Sequence, residues 1–184
     1  MNAMPLYIER STGFYTETTI LTRRYEAPCG ALLLGSLGDR LCLCDWAENR
    51  LRDHVDARLR RVLRAEFVDG ASGVTDMAAV QLDEYFAGKR RVFDVPLLFV
   101  GTEFRKKVWG ALLAVPFGKT MSYGDLARRM GIPAAVRAVA NACGANAISI
   151  FAPCHRVVGS DGALTGYAGG LAAKEFLLRL EGAI

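Results

Sequence analysis

A chain of 184 residues that is 52% hydrophobic and 23% charged is long enough to bury a core, as one domain or as two small ones, and its balance excludes a disordered or low-complexity protein. Its apolar runs, such as those at residues 95–100 and 148–151, are strand-sized and far short of the roughly 20 residues a membrane-crossing helix needs. The net charge of +4 is unevenly placed: residues 99–184 hold ten Lys and Arg against five Asp and Glu, whereas residues 1–98 hold thirteen against fourteen. The second half is therefore the one suited to phosphate contacts.

Residues 1–18 lack the basic flank, apolar core and small-residue cleavage site of a signal peptide, so a cytoplasmic location and no membrane partner are expected. Five cysteines, Cys29, Cys42, Cys44, Cys143 and Cys154, cannot all pair with one another, and their spacing does not repeat like a disulfide framework. Reduced thiols fit the same compartment. Cys42 and Cys44 are two positions apart and are expected on one side of a strand. Only His54 and His155 could join them, and the paired ligand spacing of zinc sites is missing, so no metal is expected.

Residues 5–46 alternate short β-rich runs with Gly and Asp turns, at Gly13-Phe14-Tyr15, 31–35 and 40–46, the pattern of antiparallel strands. Val55, Leu59, Val62 and Leu63 recur at helical spacing over residues 53–66, and residues 77–86 form a second amphipathic helix ended near Gly88. The extended stretch 93–100 closes an α+β N-terminal domain, placed at residues 1–98. Thr102 then caps a helix running to about Ala114, with Phe104, Val108 and Leu112 on one face and Pro116 and Gly118 as its stop. Ser122, with Asp125 three residues on, starts a short helix ending at Gly131. Pro133 opens a third helix over residues 134–143, with Gly144 beyond it. This succession is the arithmetic of a helix-turn-helix unit. The third helix is alanine-rich, leaving Arg137 and Asn141 as its main polar side chains. Such a bare face lets a backbone come close to a flat partner; a helix packed into a core with Arg137 solvated is the plainer alternative.

Next comes Ile148-Ser149-Ile150-Phe151-Ala152-Pro153-Cys154-His155-Arg156-Val157-Val158-Gly159, which reads as an apolar strand, a turn at Pro153 and a second strand. A free thiol is only about 3% thiolate at pH 7, and positive neighbours commonly bring it to about half ionised. A histidine base adds a factor of about 100. Adjacent residues on an extended chain point apart, so His155 reaches the Cys154 sulfur only where the backbone turns or a water bridges them. Pro153 permits that departure. The alternative is a buried structural thiol beside a surface histidine.

Together, Pro153-Cys154-His155-Arg156-Val157, the preceding Asn146 and Ile148-Ser149-Ile150, the following Thr165-Gly166-Tyr167-Ala168-Gly169-Gly170, and Lys174-Glu175-Phe176-Leu177-Leu178 through Glu181-Gly182 resemble the O6-alkylguanine-DNA alkyltransferase family. The likeness runs over about residues 101–183. It implies an α+β fold: a ribonuclease H-like N-terminal domain with an antiparallel sheet, then a helix-turn-helix, winged-helix-like alkyltransferase domain at residues 99–184. It also implies irreversible, stoichiometric transfer of an alkyl group from O6-alkylguanine in double-stranded DNA to a cysteine, by a monomer, without a cofactor and with the base flipped out of the duplex.

By that resemblance Cys154 is the alkyl acceptor, His155 the base that takes its proton through a bound water, and Glu181 the carboxylate that orients the histidine. Asn146 is the hinge tying the recognition helix to the active-site loop. Tyr123 presses on the phosphate beside the flipped base and donates toward the guanine ring. Arg137 is the finger that fills the vacated stack, with Ala138 and Asn141 on the same DNA-binding helix. Tyr167 is a pocket wall, and Ala168, Val157 and Lys174 go with it. Glu181 also ends the helix at residues 171–180, where negative charge is disfavoured by about 0.3–1 kcal/mol, so a functional partner explains its placement.

The sequence departs from the family pattern at Ala147, Ala140 and Phe151-Ala152, positions that bear on substrate range more than on activity. Three other readings compete. A non-catalytic alkyl-lesion sensor lacks the acceptor cysteine. A winged-helix regulator needs more base-reading side chains than an alanine-rich helix offers. A cysteine hydrolase built on Cys154, His155 and Glu181 turns over repeatedly and needs an oxyanion hole.

Overall fold

The computed structural model describes residues 18–184; the strand expected at Gly13-Phe14-Tyr15 lies outside them. Strands β1 (Thr19–Ala27), β2 (Gly30–Leu37) and β3 (Arg40–Trp46) form an antiparallel meander. Helix α1 (Arg52–Leu63) then carries the chain across the sheet to β4 (Glu66–Asp69), and α2 (Gly73–Phe86) follows. Because that crossover returns the chain in the direction it started, β4 joins β1 in parallel, giving the order β3-β2-β1-β4. The expectation of an antiparallel sheet is thus corrected to a mixed one.

Two helix boundaries differ from the sequence reading for local reasons. Arg64 adopts a left-handed conformation, φ 53°, that ends α1 and frees Glu66 to enter β4. At α2, Ser72 and Thr75 form a reciprocal cap: Thr75 N–H donates to Ser72 Oγ at 3.1 Å, and Ser72 N–H to Thr75 Oγ1 at 2.8 Å. The helix therefore starts about one turn earlier than its apolar periodicity suggests.

A bulge moves the β2–β3 register between Gly35, which faces Leu43, and Ser36, which faces Leu41. Cys42 is the extra residue, and a one-residue slip turns the strand over. Cys42 consequently packs with Leu43, Ile20, Val55 and Leu59, while Cys44 joins Leu41 in the other core cluster. The two thiols do not share a face.

The second half contributes α3 (Glu103–Leu112), α4 (Tyr123–Arg129), α5 (Val136–Gly144) and α6 (Gly170–Leu180). A short parallel pair, β5 (Met121–Ser122) with β6 (Val157–Val158), lies among them. Thr102 and Ser122 cap α3 and α4 through Arg105 N–H and Asp125 N–H, as their spacing predicts. Gly131, at φ 73°, makes the turn after α4, a conformation open to glycine at no steric cost. Pro133 starts a 3-10 turn that leads into α5. The Trp109 indole N–H of α3 donates to Ala142 O of α5 at 2.8 Å. Among the described residues no helix is long and apolar enough to cross a membrane.

One core cluster joins β2 and β3 residues Leu32, Leu34, Leu41 and Cys44 to Trp109, Val139, Ile148, Cys154 and Leu177 of the second half. The outer edge of β3 makes the connection in hydrogen bonds. Leu41 pairs with residues 96–98, and Cys44 receives from Ser149 N–H at 2.7 Å and donates to Ala147 O at 2.8 Å. Trp46 at the end of β3 lies against Gly169, just before α6, so closely that a methyl group there would fall inside the indole. Gly169→Ala is expected to cost about 1–3 kcal/mol by overpacking. Thermal unfolding should show Tm lower by roughly 2–12 °C for a chain this size.

Candidate active site

The segment docked on β3 delivers the nucleophile. After the bridge at Ile148 the chain leaves the sheet: Ile150 is bent to φ 70°, a rare conformation for a β-branched residue, and Ala152 N–H closes a turn onto Ile148 O. Pro153 then opens a 3-10 turn, Cys154–Arg156, that runs into β6. The first of the two expected strands is in fact a single bridge followed by turns, because the side chain of Asn146 takes over the backbone hydrogen bonds, while the second stands as β6. Its carbonyl oxygen accepts from Ile148 N–H at 3.0 Å, and its amide donates to Ala152 O at 2.9 Å and to Cys154 Sγ at 3.4 Å.

Cys154 is buried, with 7% of its surface exposed. Burial raises its thiol pKa above the ordinary value, and the Asn146 hydrogen bond and the Lys174 charge offset only part of this. The expectation that cationic neighbours leave it half ionised is therefore corrected. Desolvation of the thiolate outweighs their field.

His155 is fully buried, and its Nε2 lies 2.8 Å from Glu181 Oε1. An ionised carboxylate only accepts, so Nε2 carries the proton and Nδ1 is the basic nitrogen. Nδ1 has no protein hydrogen-bond partner among the described residues. Burial lowers the imidazole pKa against the opposing pull of Glu181, which keeps the ring neutral and able to accept a proton.

Glu181, the C-cap of α6, is saturated with donors. Its Oε1 also receives Tyr85 O–H at 2.7 Å and Arg156 Nη2 at 3.0 Å. Its Oε2 receives Arg156 Nε at 2.8 Å and Gly118 N–H at 3.2 Å. Burial alone would raise the carboxyl pKa, but the hydrogen bonds from His155 and Arg156, with the Arg156 charge, outweigh it and bring it down to about 2. Arg156 is tied further to Val115 O at 2.6 Å. Sequence reasoning missed Tyr85, Arg156 and Gly118 as partners here. Tyr85 reads as one more core position on α2, and no spacing links residue 85 to residue 181.

Beside this set lies an open cleft of about 920 Å³, lined by Tyr123, Tyr167, Ala168 and Trp46 and by Asn141 on α5. The Tyr167 ring meets Trp46 edge-on at 5.8 Å and His155 at 6.4 Å. Val157 and Lys174, assigned to the same pocket, stand behind its wall. Both are fully buried, and Lys174 Nζ donates to Val157 O at 2.6 Å and Thr165 O at 2.8 Å, strapping the 157–165 loop. Arg137, Ala138 and Asn141 are exposed on α5. Among the described residues no group of three or more His, Cys, Asp or Glu could hold a metal ion.

A buried Cys-His-Glu set beside an exposed small-residue helix is the arrangement of a DNA alkyltransferase, and residues 103–183 match the 6-O-methylguanine DNA methyltransferase, DNA binding domain. The methylated-DNA–protein-cysteine methyltransferase of Methanosarcina acetivorans is 44% identical over 158 residues, covering 86% of this chain and 96% of its own. That of Mycobacterium tuberculosis is 51% identical over 109 residues, covering 59% and 66%. The crystal structure of Mycobacterium tuberculosis OGT in complex with DNA superposes with a TM-score of 0.75 at 40% identity, over 90% of this chain and 93% of that one. The O6-methylguanine-DNA methyltransferase of Pyrococcus kodakaraensis superposes with a TM-score of 0.63 at 28% identity, over 89% and 99%. The chain belongs to the methylated-DNA–protein-cysteine methyltransferase family.

The buried pair makes stability depend on pH in a definite direction. The His155 pKa is lowered from 6.5, so as pH falls below 6.5 the unfolded chain binds a proton that the folded chain refuses. Its contribution is complete above that pH and is lost as pH falls through the folded value. Glu181 acts the same way lower down, complete above 4.5 and lost toward about 2. Urea midpoints measured from pH 8 to pH 5 should fall, and His155→Gln should flatten that fall. Tyr85→Phe should cost about 1.5 kcal/mol in the same assay, the low end for a bond to a charged group because two donors remain on that oxygen.

Proposed function

We propose that this protein repairs DNA by direct reversal, moving the alkyl group of O6-alkylguanine to Cys154 once per molecule. The observation that carries the reading is the combination of a buried thiol and a neutral His155 whose proton-bearing nitrogen is fixed on Glu181. A thiol kept protonated needs a base, and Nδ1 is the nitrogen left to act as one. The step balances: the thiol proton passes to His155, through one water where the two do not meet, and the sulfur attacks the alkyl carbon. The C–O6 bond breaks as the S–C bond forms, and guanine leaves with the electron pair. It is neutralised by the proton that His155 took from the thiol, returned through water, and is steadied as it departs by a hydrogen bond at its ring. Tyr123 and the backbone near Tyr167, at the cleft, are the groups proposed to supply it. The product thioether has no ready route back to a thiol, so one equivalent ends the reaction.

In this reading Asn146 is a positioning residue that holds the active-site turn, and Arg137, with Ala138 and Asn141 beside it, enters the duplex while the base occupies the cleft. Base extrusion costs a few kcal/mol, which the inserted side chain partly offsets. The exposed face of α5 supports this. The finer architecture goes with it: a ribonuclease H-like part up to residue 98 and a winged-helix-like part beyond, in a cytoplasmic monomer. A lesion sensor without transfer is the weaker reading, because the acceptor cysteine is present with its base.

Incubation with a duplex carrying one O6-methylguanine should add a single methyl, about 14 Da, to the intact protein and nothing to Cys154→Ser. His155→Gln should slow the transfer about 10²–10⁴-fold. An unchanged mass under conditions where the lesion duplex binds would turn the reading toward the sensor.

A further inference from the structure

Helix α1 carries His54, Arg58 and Arg61 at positions i, i+4 and i+7, one face of the helix. With Arg105 in the first turn of α3 and with Asn141 and Ala145 at the end of α5, that face lines a groove of about 670 Å³ that contains no carboxylate. Nearby cations are matched, Arg52 by Asp56 at 2.8 Å and Arg60 by Glu66 at 3.3 Å. Arg58, Arg61 and Arg105 have no ion pair among the described residues.

Arg58 is held in place without being neutralised. Its guanidinium lies 5.3 Å from the Trp109 ring centre and donates Nη2 to Ala145 O at 2.9 Å, while its Nε is buried without a partner. Burial and the adjacent Arg105 charge lower its pKa to about 10. Two cations held together, offset only in part by the charge of Asp45, raise the energy of the groove, and an arriving anion relieves it.

The position of the groove identifies the anion. The exposed end of α5 is a ridge between two depressions, and Asn141 lines both the groove and the active-site cleft. A helix seated against a groove of the duplex has a sugar-phosphate backbone along each flank. Tyr123 and the cleft occupy one flank. We propose that the other flank, the groove of Arg58, Arg61 and Arg105, binds backbone phosphates of the same duplex, so that α1 of the first half grips the DNA. The inference rests on the DNA-repair reading above.

Arg61 and Arg105 make no side-chain hydrogen bond among the described residues, so Arg61→Gln with Arg105→Gln leaves the fold's contacts in place. Single-turnover methyl transfer from the O6-methylguanine duplex reads affinity and chemistry separately. In the double variant the half-saturating duplex concentration should rise about tenfold near 0.1 M salt, and the slope of log affinity against log salt should fall by about 2, roughly 0.9 per phosphate released. The rate at saturation should stay unchanged, and the double lysine variant should recover most of the affinity. An unchanged salt slope beside normal transfer overturns this inference alone. Absence of transfer by the unaltered protein overturns the repair reading and this one with it.

Discussion

A buried carboxylate holds the active site together. Glu181 takes donors from α2, from the loop before β5 and from the turn that bears the nucleophile. Each donor is fixed by the others through one rigid planar group, so the His155 ring cannot rotate without breaking a bond on the same oxygen. A buried charge of this kind costs several kcal/mol in desolvation and is tolerated only when its partners are complete. Its position at the end of α6, unfavourable for an acid in isolation, makes sense once the five bonds are counted.

The same burial shapes the chemistry. The site keeps its thiol protonated and its histidine neutral, both because ionised forms lose their hydration there. A thiolate standing ready in solvent would react with any electrophile or oxidant that reached it. Here ionisation waits on proton transfer to a base whose direction Glu181 sets, which suits a protein that can react only once.

The nucleophile, its base and its carboxylate were legible in the sequence because the family signature runs almost continuously from Asn146 to Glu181. The helices of the second half were legible too, since Thr102, Ser122, Pro133 and Gly131 mark their ends by local chemistry. What escaped was non-local. Tyr85 meets Glu181 across 96 positions, β4 pairs with β1 only because α1 returns the chain, and the Cys42 bulge is visible only in the register of two strands. The acidity of Cys154 was read with the wrong sign, because charge is visible in a sequence and burial is not. Charge counting also misled in the first half. A net of −1 over residues 1–98 averages away two unpaired arginines, Arg58 and Arg61, that α1 brings to one groove beside Arg105 of α3.

The docking of residues 96–98 and 147–149 on β3 also decides how the molecule behaves toward its own copies. An uncovered strand edge offers unpaired peptide groups to any other chain, and proteins that leave one open tend to assemble through it. Here that edge is closed by the segment that presents the nucleophile, and the opposite edge is β4, four residues long with Glu66 and Asp69 exposed. Catalytic geometry and solubility thus share the same few peptide hydrogen bonds. Prising the active-site turn from the sheet would therefore uncover the peptide groups of β3 that now pair with residues 147–149.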